Sequence, residues 1–364
     1  TSIGGGGLSH RNIIINGAMT LAQRGTSTTS NGYGFVDRFQ TSVGTLSTGG
    51  NVTRSQQSLS SSDTGPWQAG FRKYARMSTV AAGTASANSY IEIYTHLEAQ
   101  DIANSGWDYG SASGNITLSF WFRCSANQTF YAYLRSRDGT SQAYTFSFTA
   151  SGNNTWTKIT HTIPGNSNLT FDNDNGSGLS LYWTPFYGTD YTNNKTLNTW
   201  AAYDQNNQTP DMASTWLTSG AATWDITGIQ LEVGDTATSF EHRSYDEELK
   251  RCKRYALVFN SNQAIGTGSA YNSTNINIHI YNQFRDIPTY SRTTGGAGYT
   301  WVVYYGASGH ASASPTVSIA SDSSTDYCLR LYVQNCHTSM TAGQAVWALT
   351  HDGGGEQIVF SAEL

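Results

Sequence analysis

Residues Asn115 to Arg123 read NITLSFWFR, in which Ile116, Leu118, Phe120 and Phe122 alternate with polar or amphipathic positions. A repeat of two places one set of side chains on one face of an extended chain, so this segment predicts a strand with one buried face. Phe130 to Arg135, Tyr144 to Phe148, Trp156 to Ile163 and Leu179 to Trp183 carry the same pattern, with Ser-Gly, Asn-Gly and Pro-Gly pairs between them. Those pairs are turn formers, and short strands punctuated by them over roughly 230 residues predict a two-sheet sandwich of jelly-roll type. The run around Ile226 to Val233 closes that block.

A second block, Leu257 to Leu364, repeats the pattern. Asn275 to Tyr281 (NINIHIY) sets Ile276, Ile278 and Ile280 on one face and Asn277 and His279 on the other, and Tyr299 to Tyr305, Cys328 to Val333 and Gln357 to Phe360 add strands. At about 105 residues this block has the size of one small sandwich. Between the blocks lies TSFEHRSYDEELKRCKRY, Thr238 to Tyr255. Ser244 followed by Glu247 is a capping box, with Asp246 to Glu248 in the first turn and Lys250 to Arg254 in the last, so both ends complement the helix dipole. Tyr245, Leu249, Cys252 and Ala256 give one narrow buried stripe. The expected fold is therefore all-β: a glycine-rich lead (1–11), a jelly-roll β-sandwich (12–243), a short linking helix (244–256) and a second, smaller β-sandwich (257–364).

Several short blocks resemble structural proteins of tailed bacteriophages. They are NIIINGAMTLAQRGTS (Asn12 to Ser27), YGFVDRF (Tyr33 to Phe39), WDITGIQLEVG (Trp224 to Gly234) running into the junction, FRDIPT (Phe284 to Thr289) and the final FSAEL (Phe360 to Leu364). An opening Asn-Gly strand, the LSFWFR strand, TWTKITHTIPG and ITGIQLEVG follow in an order similar to that of carbohydrate-binding modules with the jelly-roll fold. The resemblance implies a virion protein such as a tail fibre, assembled as a homotrimer with other tail proteins as neighbours, and a C-terminal block at a threefold contact that covers exposed sheet edges. The chain starts without Met, which fits a processed or partial chain whose attachment region lies upstream.

With 12% charged residues and 13% aromatic ones, the composition opposes disorder. A net charge of -5 gives no electrostatic reason to expect nucleic acid, and the one basic cluster, Lys250 to Arg254, belongs to the helix end. No apolar run approaches the roughly 20 residues of a membrane span, so no membrane insertion is expected. The four cysteines, Cys124, Cys252, Cys328 and Cys336, lack CxxC spacing, which argues against zinc and favours free thiols.

No GxSxG, HExxH, P-loop or strand-linked GxGxxG motif occurs, so no enzymatic activity and no cofactor are expected. Glu241, His242 and Arg243 are consecutive and cannot share one pocket on an extended chain, which assigns them to holding the junction. Asp172, Asp174, Asp190, Asp204 and Asp211 fall in polar loops where Asp is favoured anyway. DNDNGSG (Asp172 to Gly178) lacks the Gly and Glu of an EF-hand, and a structural calcium elsewhere stays an open alternative.

The functional lead is the polar, aromatic-rich stretch from Leu181 to Trp216. Trp183, Tyr187, Tyr191, Trp200 and Tyr203 are interleaved there with Asp190, Asn193 and Asp204, and Trp107 with Tyr109 forms a smaller patch. Sugar rings stack on aromatic planes and their hydroxyl rims need amides and carboxylates, so these ten residues are the expected glycan contacts. The sequence thus points to a non-enzymatic virion protein adhering to host-surface polysaccharide. A decoration protein that binds no sugar and a polysaccharide depolymerase are the alternatives.

Overall fold

The computed structural model of the protein describes residues 10–44, 46, 51–79, 83–293, 301–305, 308–312, 315–320, 324–325, 327–336 and 338–364, so the lead through Ser9 and the start of the expected Tyr299 strand lie outside the described residues. The chain divides into two compact units at Glu248 and Leu249, inside the junction helix.

In the first unit the strands are β1 (Ser27–Thr28), β2 (Gln40–Gly44), β3 (Val52–Ser58), β4 (Lys73–Thr79), β5 (Tyr90–Glu98), β6 (Asn115–Cys124), β7 (Asn127–Ser136), β8 (Gln142–Ser151), β9 (Thr157–Pro164), β10 (Ser177–Tyr187), β11 (Trp200–Ala202) and β12 (Thr223–Val233). They form two six-stranded sheets, ordered β1-β3-β4-β12-β6-β9 and β11-β8-β7-β10-β5-β2, in a jelly-roll β-sandwich. The alternation read in NITLSFWFR decides which side faces inward: Ile116, Leu118, Phe120 and Phe122 are at most 1% exposed. They meet Phe130, Phe148, Leu181 and Trp183 of the other sheet in one core. Phe120 and Phe122 both stand edge-on to Phe148, the geometry their ring quadrupoles favour. Two short helices, α1 (Ala99–Ala103) and α2 (Thr215–Thr218), close loops at the rim.

The blocks that carry the resemblance are backbone-satisfying elements. Asn16, fully buried, donates from Nδ2 to the carbonyls of Leu21 and Asp37 and accepts from the Leu21 amide. Asp37 in turn holds the amide and side chain of Gln23. On β12, Gly228 sits at φ +65° in a register shift, and a Cβ there would lie 2.6 Å from the Phe71 ring. Only glycine fits both conditions.

The residues before the junction helix act structurally. Glu241 accepts the backbone amides of His10 and Asn12, and Arg243 donates to the carbonyls of Asn12 and Ile14 while pairing with Glu241 at 3.1 Å and Glu248 at 3.5 Å. The helix, α3, spans Tyr245–Lys253 and is shorter than expected. The Ser244 hydroxyl accepts the Glu247 amide at 3.2 Å, the forward half of the capping box. Ala256 already belongs to the next strand, and Tyr245 is 59% exposed, so the buried stripe reduces to Cys252 with the half-buried Leu249 beside it.

The second unit holds β13 (Ala256–Asn260), β14 (Ala264–Ala270), β15 (Ile276–Tyr281), β16 (Thr289–Thr293), β17 (Trp301–Tyr305), β18 (Ser308–Ser312), β19 (Thr316–Ile319), β20 (Cys328–Gln334), β21 (Ala345–Thr350) and β22 (Gln357–Ser361). A three-stranded sheet, β13-β22-β16, packs on a seven-stranded one, β18-β17-β21-β14-β15-β20-β19. Ile276, Ile278 and Ile280 enter the shared core with Ile358 and Phe360, as the NINIHIY alternation predicts. All four cysteines are free. No described helix is long and apolar enough to cross a membrane.

Candidate functional site

The alternation that sends Ile91, Ile93, Leu181 and Trp183 into the core leaves an opposite face on the same sheet. There β5 presents Glu92, Tyr94 and His96, β10 presents Ser180 and Tyr182, and β7 presents Tyr133 and Arg135. Register brings them together: Tyr182 is the cross-strand partner of both Tyr94 and Tyr133, and Ser180 that of His96 and Arg135. The Tyr94 and Tyr182 rings stack at 4.8 Å and 23°, and Tyr182 and Tyr133 at 4.5 Å and 7°. Three phenols therefore stand side by side across three strands.

Polar groups fix this ladder. Arg137 donates to the Tyr182 hydroxyl and, at 2.9 Å, to the Ser180 hydroxyl, which also lies 2.6 Å from His96 Nδ1. Tyr133 donates to Gln208 Oε1 at 2.7 Å, and Tyr187 donates to the Glu92 carboxylate. The Arg135 guanidinium lies 3.5 Å from the centre of the Tyr203 ring. The segment from Gly188 to Met212 walls one side, contributing Tyr191, Tyr203, Gln208 and Met212 to the tyrosine cluster or its bonds. Tyr90, Glu92, Tyr94, Arg135, Arg137, Tyr191 and Tyr203 keep part of their surface open.

Burial sets the protonation states. It pushes the Tyr133 and Tyr187 phenols well above their ordinary range and Tyr182 to about 12, so all three are neutral donors and acceptors. Burial, reinforced by Arg137 and Arg38, lowers His96 to about 3 and keeps the imidazole neutral. Burial also raises Glu92 to about 7, against the lowering effect of its bond from Tyr187. The face thus combines neutral hydroxyls, ring edges and two guanidiniums. Chemically, it is a set of hydrogen-bond donors and acceptors beside partly open ring surface.

Of the residues singled out in the sequence, Tyr187, Tyr191 and Tyr203 belong to this cluster. Asp190, Asn193 and Asp204 lie exposed on the wall segment, where Asp204 accepts the Asn206 amide in an Asx turn. Trp183 is a correction: it is 0% exposed and packed between Phe39 and Phe120, because it falls on the inward phase of β10. Trp200 likewise packs against Tyr144 and donates to the Pro164 carbonyl at 2.7 Å. Trp107 is buried against Phe171 with its indole N–H on the Gly114 carbonyl, and Tyr109 is its half-buried neighbour. The sequence reading missed Glu92, Tyr94, Tyr133, Arg135, Arg137 and Tyr182. Their signal was the outward phase of YIEIYTH (Tyr90 to His96), YAYLRSR (Tyr131 to Arg137) and SGLSLYWTPFY (Ser177 to Tyr187).

Among the described residues no group of three or more His, Cys, Asp or Glu side chains is arranged to hold a metal ion. No protein-family model and no curated protein matches the chain. Solved structures similar to it include the enzymatically active domain of tailspike protein 4 of bacteriophage CBA120, at 9% identity over 61% of this chain and 21% of that one, with a TM-score of 0.32. Also similar are the family 11 carbohydrate-binding module of Clostridium thermocellum in complex with a mixed-linked tetrasaccharide (11% identity, 60% and 98% covered, TM-score 0.27) and a xylan-binding domain from Paenibacillus barcinonensis (11%, 58% and 94%, 0.27). The chain spans only 21% of the tailspike domain's length.

Proposed function

We propose that the first unit binds glycan across the tyrosine face, and that the chain is a trimeric receptor-binding component of a phage virion, a tail fibre protein adhering to host-surface polysaccharide. The observation that supports this reading is the Tyr94–Tyr182–Tyr133 ladder held by Arg137, with Arg135 and Tyr203 at its edge. Its open part is Tyr94 with Arg135, Arg137 and Tyr203, which offer ring surface and charge-assisted donors, while the buried Tyr182 and Tyr133 hold Tyr94 in place from behind. Three copies around one axis would multiply weak contacts into useful avidity.

Binding of the purified chain to a panel of bacterial surface polysaccharides, with polymer length followed afterwards, tests the function. Retention with the polymer intact is expected. Tyr94→Ala should weaken binding roughly tenfold or more, with a stability loss of about 1 kcal/mol or more from its stacking on Tyr182, so binding is read at a temperature where circular dichroism shows the variant folded. Retention unaffected by Tyr94→Ala would move the site elsewhere, and no retention across a broad panel would favour a decoration protein. Light scattering that returns the mass of a single 39.5 kDa chain would overturn the trimer.

One observation favours a second reading. Glu92, raised to about 7 within this face, has the acidity of a general acid at neutral pH. Glycoside cleavage needs a second carboxylate facing it across the sugar. Shortening of the bound polymer, abolished by Glu92→Gln, would reassign the chain as a depolymerase.

A further inference from the structure

The second unit carries an aromatic and cationic row on the outer face of its seven-stranded sheet that the reading above does not use. Trp347 of β21 is paired in register with Tyr304 of β17 on one side and Thr267 of β14 on the other; Thr267 pairs with His279 of β15, and His279 with Arg330 of β20. Alternation turns this row away from the core, since Val346, Ala348, Ile278, Leu329 and Leu331 point inward. Trp347 is 43% exposed, and its ring lies 4.7 Å from that of Tyr304 at 34°, making a two-ring shelf open to solvent.

A cleft adjoins the row. Thr267 and His279 are the last partners of β14 and β15, and beyond them the two strands diverge. The gap between them is a cavity of about 370 Å³ lined by Leu257, Phe259, Ile265 and Ile280, with Lys253 and Asn282 at its polar end. That volume is within the range that small-molecule sites occupy. Among the described residues, no Asp or Glu lines the cleft or stands in the row. Lys253 lines the cleft together with His279, and Arg330, the register partner of His279, donates from Nε to Asn277 Oδ1 at 3.4 Å. Trp347 and Arg330 are three strands apart, roughly 14 Å, a span that one extended oligosaccharide can cover to touch the shelf and the cationic end together.

We propose that this row and cleft form a second saccharide site, separate from the tyrosine face, that takes an oligosaccharide bearing a carboxylate. A ring face stacks on Trp347 and Tyr304, and the carboxylate is met by Arg330 or Lys253. Charge-assisted bonds of that kind exceed neutral ones, and they select acidic over neutral sugars.

The test titrates the full chain with trigalacturonate, sialyllactose and, as a neutral control, maltotriose, reading tryptophan fluorescence and calorimetry. At least one acidic probe should bind, weaken as salt is added, and outbind maltotriose. Trp347→Ala and Arg330→Gln should each reduce that binding about tenfold or more, whereas Tyr94→Ala should leave it unchanged. Trp347 is exposed enough that its truncation should not unfold the sheet, and Trp347→Phe should recover part of the affinity. Failure of both acidic probes to bind, equal binding of maltotriose, or loss of binding on Tyr94→Ala with Trp347→Ala silent would overturn the proposal. Because the two sites answer to different substitutions, failure of this one leaves the tyrosine face to be judged by its own test.

Discussion

Asp225→Asn should lower the unfolding free energy of the first unit by about 3 kcal/mol or more, the range for breaking a buried ion pair from one side. Asp225 lies on β12 with its carboxylate fully buried, 2.8 Å from Arg76 Nε and 2.7 Å from Arg123 Nε. Arg76 bonds both carboxylate oxygens. Arg123 also reaches Asp63 at 2.6 Å and the Tyr74 hydroxyl at 3.1 Å, and its guanidinium lies 4.6 Å from the centre of the Trp156 ring. The asparagine keeps the volume but removes the charge, leaving two guanidiniums facing each other with one acidic partner between them. A guanidinium does not give up its proton in a protein, so the arginines cannot answer by becoming neutral. Arg76→Met should cost less, because Arg76 is 27% exposed and Arg123 would still pair with Asp225. Urea unfolding of the three proteins, followed by circular dichroism and tryptophan fluorescence, checks the order. A loss for Asp225→Asn below that for Arg76→Met would mean that the network is a surface feature contributing little to stability.

The sandwich was legible in the sequence because burial enforces alternation, and alternation survives in a single chain. NITLSFWFR and NINIHIY each identified the core-facing residues correctly, although Thr117 and Ser119 on the other face of the first are buried too. The same rule applied to SGLSLYWTPFY places Leu181 and Trp183 inward and Tyr182 outward, yet local richness in aromatics and amides drew attention to Trp183. Richness in a window reports that rings are present; phase reports which sheet face they occupy. The site itself was harder to see, because it joins Tyr94, Tyr133 and Tyr182, residues about 40 to 50 positions apart that meet only through strand order and register. Strand order is set by which sheet each hairpin joins, and no local pattern states it. The shelf on the second unit escaped for the same reason: β17, β21, β14, β15 and β20 contribute one residue each. Glu241 and Arg243 were readable as structural because consecutive side chains on an extended chain cannot share one pocket, but their partners, the backbone groups of Asn12 and Ile14, 229 positions earlier, were not.

The pH dependence of stability should bear the mark of Glu92. Its carboxyl titrates near 4.5 when unperturbed and at about 7 in the folded protein. The folded state therefore holds this proton more tightly than the unfolded state between those values, and stability from this group is greatest below pH 4.5, falls as pH rises through the window, and levels off above 7. A separation of that size corresponds to about 3 kcal/mol as an order of magnitude. Other carboxylates titrate in the same range, so the readout is the difference between the wild-type protein and Glu92→Gln, measured by urea unfolding at pH 5 and pH 8. The variant should match the wild type at pH 5 and exceed it at pH 8, since glutamine still accepts from Tyr187 and carries no charge to desolvate. Equal differences at the two pH values would show that the carboxyl is not perturbed by its surroundings. The expected result has a functional consequence. Under the proposed glycan-binding reading, a carboxylate here would supply either an acceptor strong enough for a sugar hydroxyl or a proton that can be given. Binding of polysaccharide by Glu92→Gln at pH 8 separates these two roles, because loss of affinity identifies the acceptor, and retained affinity with loss of polymer shortening identifies the acid.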